Sequence, residues 1–137
     1  MKKTLWLVGI AFLSCGCAKD SRVMEIKSAQ DLKARMDAGN VEVINALDAE
    51  NYAKGHIPGS VNVEYEKMTP QMLPAQKDAP LIFYCASPLC PVSKMAANKA
   101  VKWGYTQVSV YEGGMSGWRS AGMPVDQRMS SSTSTVR

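Results

Sequence analysis

The alternation of short apolar runs with helix-like stretches constrains the fold of this chain most strongly. Three runs, at residues 41–46, 81–85 and 108–111, have the length and the branched, apolar composition of buried strands. Helical patterns separate them, and the clearest covers residues 93–103 with Gly104 as its stop. Strands that alternate with helices form parallel sheets, because each connection crosses over and its helix covers a face. We therefore predict an α/β fold.

Residues 1–17 have the pattern of an export signal. Two lysines precede an apolar run, residues 5–13, that is too short to span a bilayer. The run ends in small residues and cysteines, and the whole resembles a bacterial lipoprotein signal, in which the cysteine after the cleavage site is lipidated. We expect Cys15 to be the lipid anchor, with Cys17 as the alternative. An ordinary secretory signal is the other interpretation.

This signal predicts that the domain is exported and held at the periplasmic side of a membrane. Neither candidate cysteine is followed by Asp, so in a Gram-negative cell we expect the outer membrane. The cysteines of an exported domain meet an oxidising compartment. A formal net charge of +4 with scattered basic residues does not indicate a nucleic-acid partner.

Composition sets the other boundaries. Residues 18–27 are polar and predict a short tether, and residues 128–137 are rich in Ser and Thr and predict a disordered tail. The folded domain is then expected over residues 28–127, with Ser28 as the cap of its first helix.

Cys85 is the main candidate for a reactive residue. It ends the apolar run 81–85, and sites in parallel sheets form where strands end. A helix follows, and the N–H groups and dipole of a helix N-terminus favour a thiolate and bind anions. Pro88 and Pro91 have no N–H. The predicted anion-binding loop therefore consists of Ala86, Ser87, Leu89, Cys90, Val92 and Ser93. The alternative is a buried cysteine that only packs.

Three motif-like blocks surround this loop. They are YAKGHIPGSVN at residues 52–62, FYC at 83–85, and YEGGMSGW at 111–118 followed by GMPV at 122–125. In this order they resemble the rhodanese superfamily. The resemblance implies a rhodanese-like fold, with a parallel five-strand sheet covered by helices on both faces. It also implies a sulfurtransferase that needs no cofactor. Such an enzyme moves sulfane sulfur through a Cys85 persulfide, from thiosulfate or a similar small anionic donor to a thiol or cyanide-type acceptor.

The chain departs from the family in two places. Seven residues, none of them basic, separate Cys85 from Ser93, whereas the usual loop is shorter and often contains Arg or Gly. Asn45-Ala46-Leu47 replaces a frequent Asp-x-Arg. Relatives with a Cys-x5-Arg loop are phosphatases, and their chemistry needs the Arg to bind the phosphoryl group. No Arg lies between Cys85 and Arg119, so a phosphatase is not indicated. These departures leave the sulfur donor open.

Cys90 provides a second thiol five residues after Cys85. It predicts an alternative function, a Cys85/Cys90 thiol–disulfide redox switch, if the loop brings the two Cα atoms within about 7 Å. A non-catalytic rhodanese-fold binding module is a further alternative. His56 is expected to fix its own loop, and Lys94 to be a solvated surface residue. Two cysteines and one distant histidine are too few ligands to predict a metal site.

Overall fold

Strands and helices alternate along residues 23–127, the part of the chain that the computed structural model describes. The strands are β1 (Met24–Ile26), β2 (Glu42–Asn45), β3 (Val61–Asn62), β4 (Leu81–Tyr84) and β5 (Val108–Tyr111). The helices are α1 (Ala29–Asp37), α2 (Ala49–Lys54), α3 (Val92–Lys102) and α4 (Gly114–Ser120), and two 3₁₀ turns, Tyr65–Lys67 and Pro70–Met72, follow β3. None of these described helices has the length and apolar composition that crossing a bilayer requires. The predicted signal with Cys15 and Cys17, the start of the tether and the tail all lie outside the described residues.

The five strands form one sheet in the order β1-β5-β4-β2-β3, and every neighbouring pair is parallel. β4 is central, and its Phe83 lies between Ile44 of β2 and Val110 of β5. All four residues of β4 are buried, as expected for a parallel strand with both faces covered. The predicted α/β class and the five-strand parallel sheet are confirmed.

Alternate side chains of β4 belong to two separate cores. Leu81 and Phe83 pack beneath α3, and Ile82 and Tyr84 pack on the opposite face, against α1 and α4. Because successive side chains of a strand point to opposite faces, helices are needed on both sides of the sheet. The buried helix residues of the two cores are Ala96, Ala97 and Ala100 on α3, Ala29 and Leu32 on α1, and Met115 and Trp118 on α4.

β1 corrects the predicted start of the domain. The prediction assigned residues 18–27 to a tether, but Met24–Ile26 pairs with β5, and Ile26 is 1% exposed. A three-residue edge strand with one buried side chain is too short to produce a recognisable period in the sequence. The fold therefore begins before Ser28, whose hydroxyl accepts the Asp31 N–H at 3.0 Å and caps α1 as predicted.

Candidate functional site

Cys85 is the first residue after β4, at the carboxyl edge of the sheet, and it is 2% exposed. Its Sγ lies 3.1 Å from the carbonyl oxygen of Cys90 and 3.3 Å from the Oγ of Ser93. As a thiol, Cys85 donates its proton to one of these oxygens. As a thiolate, it can accept hydrogen bonds from the Ser93 hydroxyl and the Ser93 backbone N–H, both of which favour the charged form. The sulfur is therefore held beside the first turn of α3, where the sequence predicted it.

Burial raises the pKa of the Cys85 thiol, because desolvation penalises the charged form. The hydrogen bond with the Ser93 side chain opposes this by lowering the pKa, and the contact with Cys90 adds to the rise. The net direction is opposite to the one expected from a helix N-terminus alone. Burial therefore favours the neutral thiol, and Ser93 is the side chain that opposes this by favouring the thiolate.

The loop between β4 and α3 folds back over Cys85. The N–H of Cys90 donates to the carbonyl of Ser87 at 3.1 Å, so this predicted anion donor is already used within the loop. The first turn of α3 starts after Pro91, and N–H groups of a first helical turn have no intrahelical acceptor. Within residues 23–127, the predicted donors that pair with no backbone carbonyl are Ala86, Ser87, Leu89, Val92 and Ser93.

The start of α4 supports the first part of this loop. The N–H of Met115 donates to the carbonyl of Cys85 at 2.8 Å, and the N–H of Ser116 donates to the carbonyl of Ala86 at 2.9 Å. Gly114 has a φ of +58°, and a Cβ added to it would stand 2.6 Å from the backbone nitrogen of Ser87. Only glycine allows both this dihedral angle and this close approach without strain. The Gly-Gly pair of the C-terminal motif thus lets α4 dock against the loop.

The motif around His56 is held by its own hydrogen bonds. The His56 ring stacks on Tyr52 at 3.8 Å between centroids, and Nδ1 donates to the Tyr52 carbonyl at 3.0 Å. The backbones of His56 and Asp126 exchange hydrogen bonds of 2.8 Å and 3.0 Å. These contacts give His56 the structural role that the sequence predicted.

Tyr84 connects that motif to the strand that ends at Cys85. Its hydroxyl accepts the Ile57 N–H at 3.1 Å and forms a hydrogen bond of 2.9 Å with the Ser60 hydroxyl. All of these groups are buried, so an unmet hydrogen bond here would be costly. The upstream motif therefore positions the residue next to the candidate nucleophile.

A cleft of about 310 Å³ opens beside the loop at Ala86. Arg119 of α4 lies over Gly55 in this cleft, so close that a Cβ at residue 55 would overlap its Nη2. Lys54 also lines the cleft and pairs with Glu50 at 2.8 Å. Within residues 23–127, no carboxylate lies within ion-pairing distance of Arg119.

A second hollow, of about 160 Å³, shares Leu47 with this cleft and has the opposite charge. It reaches Val92 at the start of α3, and its carboxylates are Asp48, Glu64 and Glu66. The surroundings of the loop are therefore basic towards α4 and acidic towards the 3₁₀ turn after β3.

Sequence analysis did not single out Arg119 as a site residue, because it lies far along the chain from Cys85. The signal that could have found it is its position directly after Trp118 in the C-terminal motif, since α4 starts against the loop. Lys94 was the nearest basic residue in sequence. It lies at the surface and is paired, with Glu25 at 3.1 Å and Glu112 at 2.8 Å, so it connects β1 to the end of β5.

Cys90 is half-buried, and both it and Cys85 are free cysteines. The loop brings the backbone carbonyl of Cys90, rather than a charged group, next to Sγ of Cys85. Within residues 23–127, no group of three His, Cys, Asp or Glu side chains is close enough to hold a metal ion.

A family model described as the rhodanese-like domain matches residues 28–121. A thiosulfate sulfurtransferase GlpE from Pseudoalteromonas translucida is 30% identical over 96 residues, which are 70% of this chain and 89% of that protein. The HTH-type transcriptional regulator Rv0324 of Mycobacterium tuberculosis is 31% identical over 97 residues. This match covers 71% of the present chain but only 42% of the regulator.

Solved structures agree with the architecture. The BH2092 protein from Bacillus halodurans superposes with a TM-score of 0.69 at 26% identity, and the match covers 77% of each chain. A thiosulfate sulfurtransferase from Pseudomonas aeruginosa gives a TM-score of 0.67 at 19% identity, over 77% of this chain and 20% of that one, and shares the fold. With the family match extending over most of the sheet, from α1 to the end of α4, this chain belongs to the rhodanese-like domain family.

Proposed function

We propose that the chain is a sulfurtransferase that carries sulfane sulfur as a persulfide on Cys85. The observation that carries this proposal is the position of Sγ at the end of β4, enclosed by the loop and 3.3 Å from the Ser93 hydroxyl. The similarity to proteins named thiosulfate sulfurtransferase, one of which the chain covers over 89% of its length, supports it. Thiosulfate, or another small anion with a transferable sulfur, is the proposed donor.

In the first step the Cys85 thiol gives its proton to solvent, and the Ser93 hydroxyl donates to the resulting thiolate. The thiolate attacks the outer sulfur of thiosulfate, a new S–S bond forms, and the S–S bond of the donor breaks. Sulfite leaves with that bond's electron pair. The N–H groups of the loop and of the first turn of α3 that have no backbone acceptor, among them those of Ala86 and Val92, would bind the departing anion.

In the second step a thiolate or cyanide acceptor attacks the outer sulfur of the Cys85 persulfide. The S–S bond breaks, and its electron pair returns to Sγ, which regains a proton. No external oxidant or reductant is needed, because sulfur is only transferred. We further propose that this exchange occurs outside the cytoplasm, with the chain anchored in a membrane through lipidated Cys15 or, alternatively, Cys17. The sequence pattern of residues 1–17 is the support for that location.

Mass spectrometry of the full chain after incubation with thiosulfate tests the proposal. We expect an increase of about 32 Da, one sulfur atom, on the peptide that contains Cys85, and its loss after a thiol is added. Cys85→Ser should show no increase, and the matched variant Cys90→Ser should still be loaded. The proposal fails if neither thiosulfate nor polysulfide loads the wild-type chain.

One observation favours a second candidate function, the thiol–disulfide switch. The turn from Ser87 to Cys90 folds the loop back, so that the Cys90 backbone lies next to Sγ of Cys85. A redox titration with peptide mapping should then find a Cys85–Cys90 disulfide, and its absence at every potential would exclude this function. If Cys85→Ser retains the biological role, a binding module becomes the better account.

A further inference from the structure

The cleft beside Ala86 is lined by two basic side chains, Lys54 and Arg119, and it reaches the residue that directly follows Cys85. Its floor contains Gly55, and the missing Cβ of this residue is what leaves room for the Arg119 guanidinium. Arg119 therefore has a defined resting place, although its side chain is exposed. A planar guanidinium held in this way presents N–H groups in the geometry that a carboxylate matches.

The charges around the loop favour one side for an anion. Arg119 has no carboxylate partner within residues 23–127, whereas Lys54 is partly neutralised by Glu50. The hollow that contains Asp48, Glu64 and Glu66 disfavours an anion, although Glu64 is partly neutralised by Lys67 at 2.7 Å. An anionic molecule that approaches the loop is consequently directed into the cleft with Arg119.

We propose that this cleft is the acceptor site and that Arg119 selects thiols that carry a carboxylate. The inference rests on the proposed Cys85 persulfide. The carboxylate pairs with the Arg119 guanidinium, while the thiolate of the same molecule attacks the outer sulfur on Cys85. The bond between that sulfur and Sγ breaks, Sγ takes the electron pair and a proton, and the acceptor leaves as a persulfide.

Single-turnover discharge of the loaded full chain tests the proposal. The Cys85 persulfide is formed with thiosulfate and then mixed with 3-mercaptopropionate, which is anionic, or with 2-mercaptoethanol, which is neutral. Loss of the added sulfur is followed by mass spectrometry. We expect Arg119→Gln to lower the ratio of the two rate constants about fivefold, the size of an exposed ion pair with good geometry. Taking a ratio within each variant removes any difference in loading.

Two further variants provide controls. Arg119→Lys keeps the positive charge but lacks the paired N–H groups of a guanidinium. We expect its ratio of the two rate constants to lie between those of Arg119→Gln and the wild type. Lys102→Gln removes one exposed charge at the far end of α3, and we expect the wild-type ratio. High salt should reduce the preference of the wild type, because screening weakens exposed pairs. An Arg119→Gln ratio equal to that of the wild type would overturn the proposal.

A binding measurement distinguishes failure of the site from failure of the persulfide chemistry. The unreactive thioether 3-(methylthio)propionate is titrated into the unloaded chain, and the NMR signal of the Arg119 side-chain Nε–H is followed. A saturable shift, with reduced binding in Arg119→Gln, supports the cleft as an anion site even if thiosulfate fails to load Cys85. The absence of any shift at millimolar concentrations counts against the site itself.

Discussion

Gly114 packs against the backbone of Ser87, and a Cβ added to Gly114 would stand 2.6 Å from the Ser87 nitrogen. The same residue starts the helix whose first N–H groups bind the carbonyls that follow β4. The conformation of the loop over Cys85 thus depends on a residue almost thirty positions away in the sequence.

We expect Gly114→Ala to be destabilising and to impair persulfide formation. Gly122→Ala is a matched control, because Gly122 also has a positive φ, +70°, but has no atom within 4 Å of its added Cβ. Both variants should lose about 1–2 kcal/mol from backbone strain. Gly114→Ala should lose about 1–3 kcal/mol more from overlap with the loop backbone. Denaturant unfolding measures the difference, and equal losses would contradict the close-packing argument.

Removal of the Ser93 hydroxyl should make Cys85 less reactive. Ser93→Ala takes away a hydrogen bond that favours the thiolate, so the pKa of Cys85 should rise further. A hydrogen bond to a charged group is worth about 1.5–3 kcal/mol, which predicts alkylation by iodoacetamide that is roughly ten- to a hundredfold slower at neutral pH. The pH profile of alkylation reports the pKa. Ser116→Ala, which changes an exposed side chain of α4, serves as the control, and a profile that moves to lower pH in Ser93→Ala would refute this assignment.

The raised pKa of Cys85 also predicts a pH dependence of stability. Its folded-state pKa lies above the unfolded value of about 8.5, so the folded chain holds this proton more tightly. The resulting stabilisation is present below about pH 8.5 and is lost as the pH rises through the folded-state pKa. Compared with Cys85→Ala, the wild type should therefore lose free energy of unfolding between neutral and alkaline pH. Urea titrations of both proteins at several pH values measure it, and a parallel response would contradict the upward direction.

Tyr84→Phe should weaken the link between the upstream motif and β4. The substitution leaves the Ile57 N–H and the Ser60 hydroxyl without their buried partner, a loss of about 1–3 kcal/mol. Tyr111→Phe is the comparison, because within residues 23–127 no hydrogen bond is found for the Tyr111 hydroxyl. Thermal unfolding should show a clearly lower midpoint for Tyr84→Phe alone. Similar midpoints for the two variants would mean that the Tyr84 hydroxyl contributes little.

Local sequence patterns were sufficient to predict a strand or helix when the pattern extends over several residues. The apolar run at 81–85 predicted β4, and Ser28 predicted the start of α1. β1 was missed because three residues carry no period, and its burial depends on pairing with β5 at the other end of the chain. Cys90 was predicted as an anion donor, but its N–H is used by a turn that the neighbouring residues do not indicate.

Electrostatic features were harder to predict, because they depend on which distant groups meet. The expectation of a stabilised thiolate considered the helix N-terminus alone, and it omitted burial and the neighbouring Cys90 side chain, both of which raise the pKa of Cys85. Arg119 and Gly55 are separated by more than sixty residues, and only the return of α4 to the loop brings them together. Sequence spacing around Cys85 gave no indication of this basic cleft.

The enclosure of Cys85, which is 2% exposed, gives two sulfur atoms different access to the surroundings. Sγ of Cys85 is buried, so bulky electrophiles and a second copy of the chain cannot readily reach it. In the proposed persulfide, the added sulfur would stand about 2 Å from Sγ, at the end of the new S–S bond. The fold would in this way restrict access to Sγ of Cys85, while the outer sulfur of the persulfide would be the atom that an acceptor reaches.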